Sequence, residues 1–180
     1  MSKFSNPAGT ANEDAQEYVT ALMELLGDRD PLQVMSEQFA LVQQEVDRLR
    51  AEDLRRPEKT GKWSILQVLQ HLADTELVHG FRVRMILAHD SPDILGYDQD
   101  AWANRLNYNE VEPAEALEQL RLLRRINLKL IRALDNEQLE RAGRHSERGL
   151  ESVRKIVQLI AAHDILHLNQ IRRIKRTHGL

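Results

Sequence analysis

Near the C-terminus, Val153, Ile156, Val157, Ile160, Ile171 and Ile174 recur at intervals that, at about 100° per residue, gather them on one side of a helix. An apolar stripe of this kind must be covered by another apolar surface. The same spacing returns in Ile65, Val68, Leu69, Leu72, Val83, Ile86 and Leu87, and Leu117, Leu120, Leu123, Leu130 and Ile131 supply a third set. No intervening segment alternates apolar and polar residues as a strand does. With eight Gly, five Pro and 29% charged residues in 180, the chain has few helix breakers and many straight side chains that keep their rotamer freedom in a helix. The expectation is an all-α chain.

Punctuation places the helices. Gly27 halts a first helix begun near Glu13, and Pro31 fits the first turn of a second that reaches about Ala51. These two are readable as one broken helix. Arg56 to Lys62 reads as a loop, after which Ser64 N-caps a helix running to about Ala88. Ser91 to Asn109 reads as a long ordered connection with one helical turn near Asp100 to Arg105. A helix from Pro113 to about Leu134, a polar connection from Asp135 to Leu150 and a last helix over Ser152 to Thr177 complete the chain. Three long helices and a broken one predict a four-helix bundle with long crossover connections, a single domain over residues 13–180 preceded by a flexible arm over residues 1–12.

The chain contains no Cys and seven His. A cysteine nucleophile, an iron–sulfur cluster and a thiolate-ligated zinc are therefore excluded, and a metal would have to be held by His and carboxylates. The formal charge of −3 gives no general attraction to nucleic acid or to an anionic membrane. No apolar run approaches the ~20 residues of a membrane span, so a soluble, cytoplasmic protein is expected.

His163 and His167 fall inside the apolar stripe of the last helix, with Asp164 beside them. At i and i+4 the two imidazoles project from one face at adjacent turns, a spacing that suits two ligands of one ion. Equally, they can be core histidines satisfied by hydrogen bonds. On the helix begun at Ser64, Glu76 and His79 lie within the apolar face and His71 at its flank. Either histidine can complete a three-His set with a coordination position left for water or substrate.

Lys62-Trp63-Ser64-Ile65 leading to His71-Leu72-Ala73-Asp74-Thr75-Glu76, together with Ala162-His163-Asp164-Ile165-Leu166-His167-Leu168-Asn169-Gln170-Ile171, resembles the DinB-like superfamily. That group includes bacillithiol S-transferase (YfiT-like) proteins and mycothiol-dependent maleylpyruvate isomerases. The resemblance covers the chain from about Asp30 onward. It implies a four-helix bundle, often a homodimer, with one divalent metal on His71, His163 and His167, and so selects His71 over His79. Three imidazoles suit zinc or nickel, with iron and manganese also compatible. What it implies about activity is a small-molecule substrate and a metal-activated low-molecular-weight thiol for S-transfer, with metal-dependent hydrolysis as the enzymatic alternative. A non-catalytic metal- or ligand-binding stress protein is the third reading.

Around such a centre, Glu76 is a candidate base, or half of a buried ion pair with an arginine from another helix. Asp164 either orients a ligand imidazole or pairs locally. Gln170 is a candidate substrate contact, with an ordinary surface glutamine as the plainer reading. Tyr97, Asp98, Asp100, Trp102 and Asn104 can line a pocket mouth or plug the bundle end. His145 is a second catalytic candidate if its loop approaches the site, and an exposed loop histidine otherwise. His89 and His178 read as surface residues near helix ends. The basic runs Arg121, Arg124, Arg125, Lys129, Arg132 and Arg172, Arg173, Lys175, Arg176 read mostly as solvated faces.

Overall fold

A computed structural model describes residues 12–180; the arm expected at the N-terminus lies outside the described residues apart from Asn12, which opens the first helix. Helix α1 (Asn12–Leu26) ends at Gly27, whose φ of 58° suits glycine, and α2 (Pro31–Val46) starts with Asp30 accepting from Leu32 N–H and Pro31 in the first turn. The short α3 (Ala51–Arg55) follows a break at 47–50, so the second helix stops five residues before the expected end. Helix α4 (Ile65–Ala88) carries a capping box in which Ser64 accepts from Gln67 N–H and the Gln67 side chain accepts from Ser64 N–H. Then come β1 (Asp93–Ile94), α5 (Gln99–Arg105), α6 (Pro113–Ile131), α7 (Asn136–Glu140), β2 (Ala142–His145), β3 (Gly149–Ser152) and α8 (Val153–His178).

Two apolar layers set the direction of each long helix. One gathers Leu22, Leu26, Met35, Val83, Ile86, Leu128, Ile131, Ile156 and Ile160. The other gathers Val42, Val46, Ile65, Leu66, Leu69, Leu120, Ile171 and Ile174. Helices α2 and α8 run from the first layer to the second, while α4 and α6 both run back. The order up, down, down, up makes α4 and α6 parallel neighbours and requires the long crossover at 89–112. Each buried Leu or Ile contributes about 1.5–3 kcal/mol, so the two layers supply most of the stabilisation.

The four-helix bundle is as the sequence predicts, and a small sheet is added to it. Strand β1 pairs parallel with β2, which pairs antiparallel with β3. Its inward-facing positions include Gly143, His145 and Glu151, while Leu150 points out. Because the polar side faces inward, no apolar alternation advertises these strands. Gly143 is required for space: a Cβ there would lie 2.6 Å from Ile94 Cδ1 and 2.9 Å from the Pro92 carbonyl oxygen. Among the described residues no helix is long and apolar enough to cross a membrane.

Candidate metal centre

His71 on α4 and His163 and His167 on α8 converge between the two apolar layers. The Nε2 atom of His163 lies 3.0 Å from Nε2 of His71 and 2.9 Å from Nε2 of His167. All three rings are buried, and their ligand atoms lie within 4.8 Å of one another. Trp63, just before the α4 cap, closes one flank, with its ring centroid 5.0 Å from that of His71 and 6.5 Å from that of His167.

The electrostatics keep the imidazoles neutral. Burial first, then the proximity of His167 and His79, lowers the pKa of His71 well below the ordinary histidine range. Burial and the neighbouring His167 and His71 do the same to His163, and burial holds His167 at about 4. Neutral imidazole is the form that binds a metal. Gln170 Oε1 lies 2.7 Å from His167 Nδ1 and accepts a hydrogen bond from its N–H, which leaves Nε2 with a free lone pair aimed at the other two rings. Three nitrogens 2.0–2.1 Å from a tetrahedral zinc would stand about 3.3 Å apart, close to the spacing present, so the donor set fits one divalent ion.

The family model for the DinB superfamily matches residues 35–171, a span that contains all three histidines. The chain belongs to the DinB superfamily. Within the superfamily it is similar to the putative metal-dependent hydrolase YfiT of Bacillus subtilis, at 27% identity over 82% of this chain and 84% of that protein. It is also similar to the putative metal-dependent hydrolase OB0782 of Oceanobacillus iheyensis, at 32% identity over 68% and 71%. The solved structure of Bacillus subtilis YfiT, described as an unusual four-helix bundle topology, superposes with a TM-score of 0.76, covering 98% of this chain and 94% of that one at 23% identity.

In this DinB chain the other candidate residues divide between several places. Glu76 takes the ion-pair option: it meets Arg124 of α6 at 3.0 Å and accepts from Asn127 at 2.9 Å. Asp164 neither orients a ligand ring nor pairs locally; it receives two hydrogen bonds from Arg124, and burial pushes its pKa up to about 6. Arg124 is therefore buried, contrary to its reading as part of a solvated face. Gln170 holds His167. Asp98 caps α5 by accepting from Ala101 N–H, while Tyr97 and Trp102 pack together with centroids 4.6 Å apart. The Tyr97 hydroxyl reaches Thr75 Oγ1, one turn beyond His71, at 3.4 Å.

His145 is buried at the end of β2, not exposed in a loop, and its Nδ1 accepts from Glu147 N–H. His79 contacts the Thr75 carbonyl oxygen one turn back at 3.0 Å, His89 is exposed at the α4 C-cap, and His178 reaches the Pro57 carbonyl at 3.0 Å. Arg172 and Lys175 pair with Glu45 and Arg173 with Glu58, so the second basic run ties α8 to α2 and to the loop before α4. Sequence reasoning gave Asp74 no role. Its carboxylate accepts from Tyr108 at 2.5 Å, from Gln119 at 2.9 Å and from Gln70 at 3.1 Å. Only its place in the α4 motif signalled it.

Proposed function

We propose that this chain is a divalent-metal enzyme for a small-molecule substrate, in which His71, His163 and His167 hold one ion and a low-molecular-weight thiol is the nucleophile. The observation that carries the metal reading is the Gln170 contact, because it directs the His167 lone pair onto the point that the other two rings also face. When bound, a divalent ion lowers the pKa of a thiol or water at its open position, so that an anionic nucleophile exists near neutral pH.

The rest of the work falls to the chain. Burial keeps the three imidazoles neutral, each with one ring nitrogen available to a metal. Trp63 shields one flank from water. In this reading the hydroxyl of Thr75, one turn along α4, and that of Tyr97, which it meets at 3.4 Å, orient the electrophilic partner. Since the chain has no Cys, sulfur in the reaction has to arrive on a cosubstrate. A cytoplasmic homodimer belongs to the same proposal.

The names of the relatives favour a second reading, hydrolysis by a metal-activated water. Elemental analysis of protein purified without a metal-affinity tag tests the centre: about one ion per chain is expected, lost in His71→Ala and His163→Ala. Metal-free wild type overturns both readings. Turnover of an electrophile only when a thiol is supplied supports transfer, and thiol-independent turnover supports hydrolysis.

A further inference from the structure

His71, Thr75, His79 and Arg82 follow one another along α4 at intervals of four, four and three, so they form one stripe on that helix. The stripe leads away from the metal centre to a second cluster of polar groups. The helix rises about 16 Å from His71 to Arg82, and Tyr97 spans part of that distance: its ring lies 6.0 Å from the Arg82 guanidinium and its hydroxyl 3.4 Å from Thr75 Oγ1, one turn from His71.

Among the described residues two arginines are buried, Arg124 and Arg82, and their guanidinium groups are treated oppositely. Arg124 has two carboxylates. Arg82, 5% exposed, donates to the Leu95 carbonyl oxygen at 2.6 Å and lies over the Tyr97 ring at 6.0 Å, but among the described residues no carboxylate stands within 4.0 Å of it. The acids nearby are otherwise engaged. Glu151 is gripped by Arg148 at 2.5 and 2.9 Å, and Glu147 is exposed, its carboxylate against Gly96.

His145 supplies the independent observation. It is 4% exposed, and while Nδ1 is satisfied, Nε2 is buried with no hydrogen-bond partner. Ile94 pairs with His145 across the β1–β2 ladder and Arg82 donates to the carbonyl of the next residue, Leu95, so the two side chains belong to one cluster, with Arg148 of the hairpin turn close enough to act on both. A buried guanidinium without a counter-ion and an unpartnered buried ring nitrogen are each costly. A single anionic ligand group would satisfy both, with the ring protonated on Nε2.

We infer that Arg82, Arg148 and His145 form an anion subsite that receives a carboxylate of the small-molecule ligand whose reacting end lies at the three histidines. The link to those histidines rests on the metal-enzyme reading; the subsite itself does not. Arg82 supplies the unpaired charge, Arg148 adds the guanidinium nitrogen that Glu151 leaves free, and His145 donates from Nε2. Tyr97 and Trp102 form the aromatic wall between the two ends.

The test is a titration of the full-length, isotope-labelled protein with sodium acetate against sodium chloride at constant ionic strength, following the Arg82 Nε–H and His145 ring signals by NMR. Saturable shifts with acetate and none with chloride are expected. Arg82→Met weakens the response by at least about tenfold, the loss expected for a charge-assisted hydrogen bond. His145→Leu, which leaves the guanidinium and its Leu95 contact in place, weakens it too and serves where Arg82→Met fails to fold. Equal shifts with acetate and chloride, or an undiminished acetate response in His145→Leu, overturn the subsite. His71→Ala keeps the response. Wild type that binds no metal yet responds to acetate defeats the metal reading alone, and metal-loaded protein without the response defeats the subsite alone.

Discussion

Arg124 grips Asp164 through two parallel hydrogen bonds of 2.6 and 2.8 Å in the interior of the bundle, at the residue next to His163. The pair belongs to a polar belt drawn from all four long helices. Gln38 of α2 donates to the Asp164 carbonyl oxygen at 2.6 Å, Arg124 also donates to the Met35 carbonyl at 2.8 Å, and Glu76 of α4 closes the ring. The belt lies between the two apolar layers and fixes how α8, and with it His163 and His167, is set against α4.

Removing the guanidinium should cost more than the net worth of the pair, because two buried carboxylates would lose their counter-charge. Arg124→Met is expected to destabilise the fold by about 3–5 kcal/mol, read as a lower urea midpoint at pH 7. Arg124→Lys retains a charge but not the fork and should recover only part of the loss.

Gln170 touches the centre through His167 alone among the candidate ligands. Gln170→Leu should therefore leave the fold intact and weaken metal binding by about 10–100-fold, the range for losing a hydrogen-bond partner of a ligating histidine. A competition titration with a chelator measures it, and Asn169→Ala, at an exposed neighbouring position, should leave affinity unchanged.

The long helices and their caps were legible because periodicity and N-cap chemistry are local: Ser64, Gly27 and Pro31 mark their boundaries in the sequence as they do in the structure. The i, i+4 pair of His163 and His167 was legible for the same reason. His71 was not separable from His79 by face alone, since choosing between them depends on the angle at which α4 meets α8. Arg124 was obscured by its setting among Arg121, Arg125 and Lys129, although its spacing of four from both Leu120 and Leu128 puts it on the buried face of α6. The hairpin was hidden because its inward face is Gly143, His145 and Glu151.

Five histidines are held in the neutral form, His71, His79, His145, His163 and His167, with burial the first cause in each. Their folded pKa values lie below the ordinary 6.5, so between the two values the unfolded chain binds more protons and stability falls as pH drops. For His145 the window runs from 6.5 down to about 4. Asp164, pushed up to about 6 by burial, acts in the opposite sense, one group against five. Chelator-treated protein should lose stability steadily from about pH 6.5 downward, and His145→Asn, which keeps an acceptor for Glu147 N–H, should flatten part of that slope. Denaturation midpoints across the range measure it.

Gly80 offers a contest between two effects of opposite sign. In a helix interior, Gly→Ala normally stabilises by about 1 kcal/mol. Here the added Cβ would fall 2.5 Å from Asn127 Oδ1 and 2.8 Å from its Nδ2. That amide is not free to swing away: it donates to both the Glu76 carbonyl and its carboxylate at 2.9 Å and accepts from Arg84 at 3.1 Å. Displacing it leaves buried polar groups unsatisfied at about 1–3 kcal/mol, which outweighs the propensity gain. Gly80→Ala is thus expected to destabilise the wild type by up to about 2 kcal/mol. In an Asn127→Ala background the obstruction is gone, and the same substitution should become neutral or stabilising. A double-mutant cycle read by chemical denaturation decides it, and an equal effect in both backgrounds would show that Asn127 is not the cause.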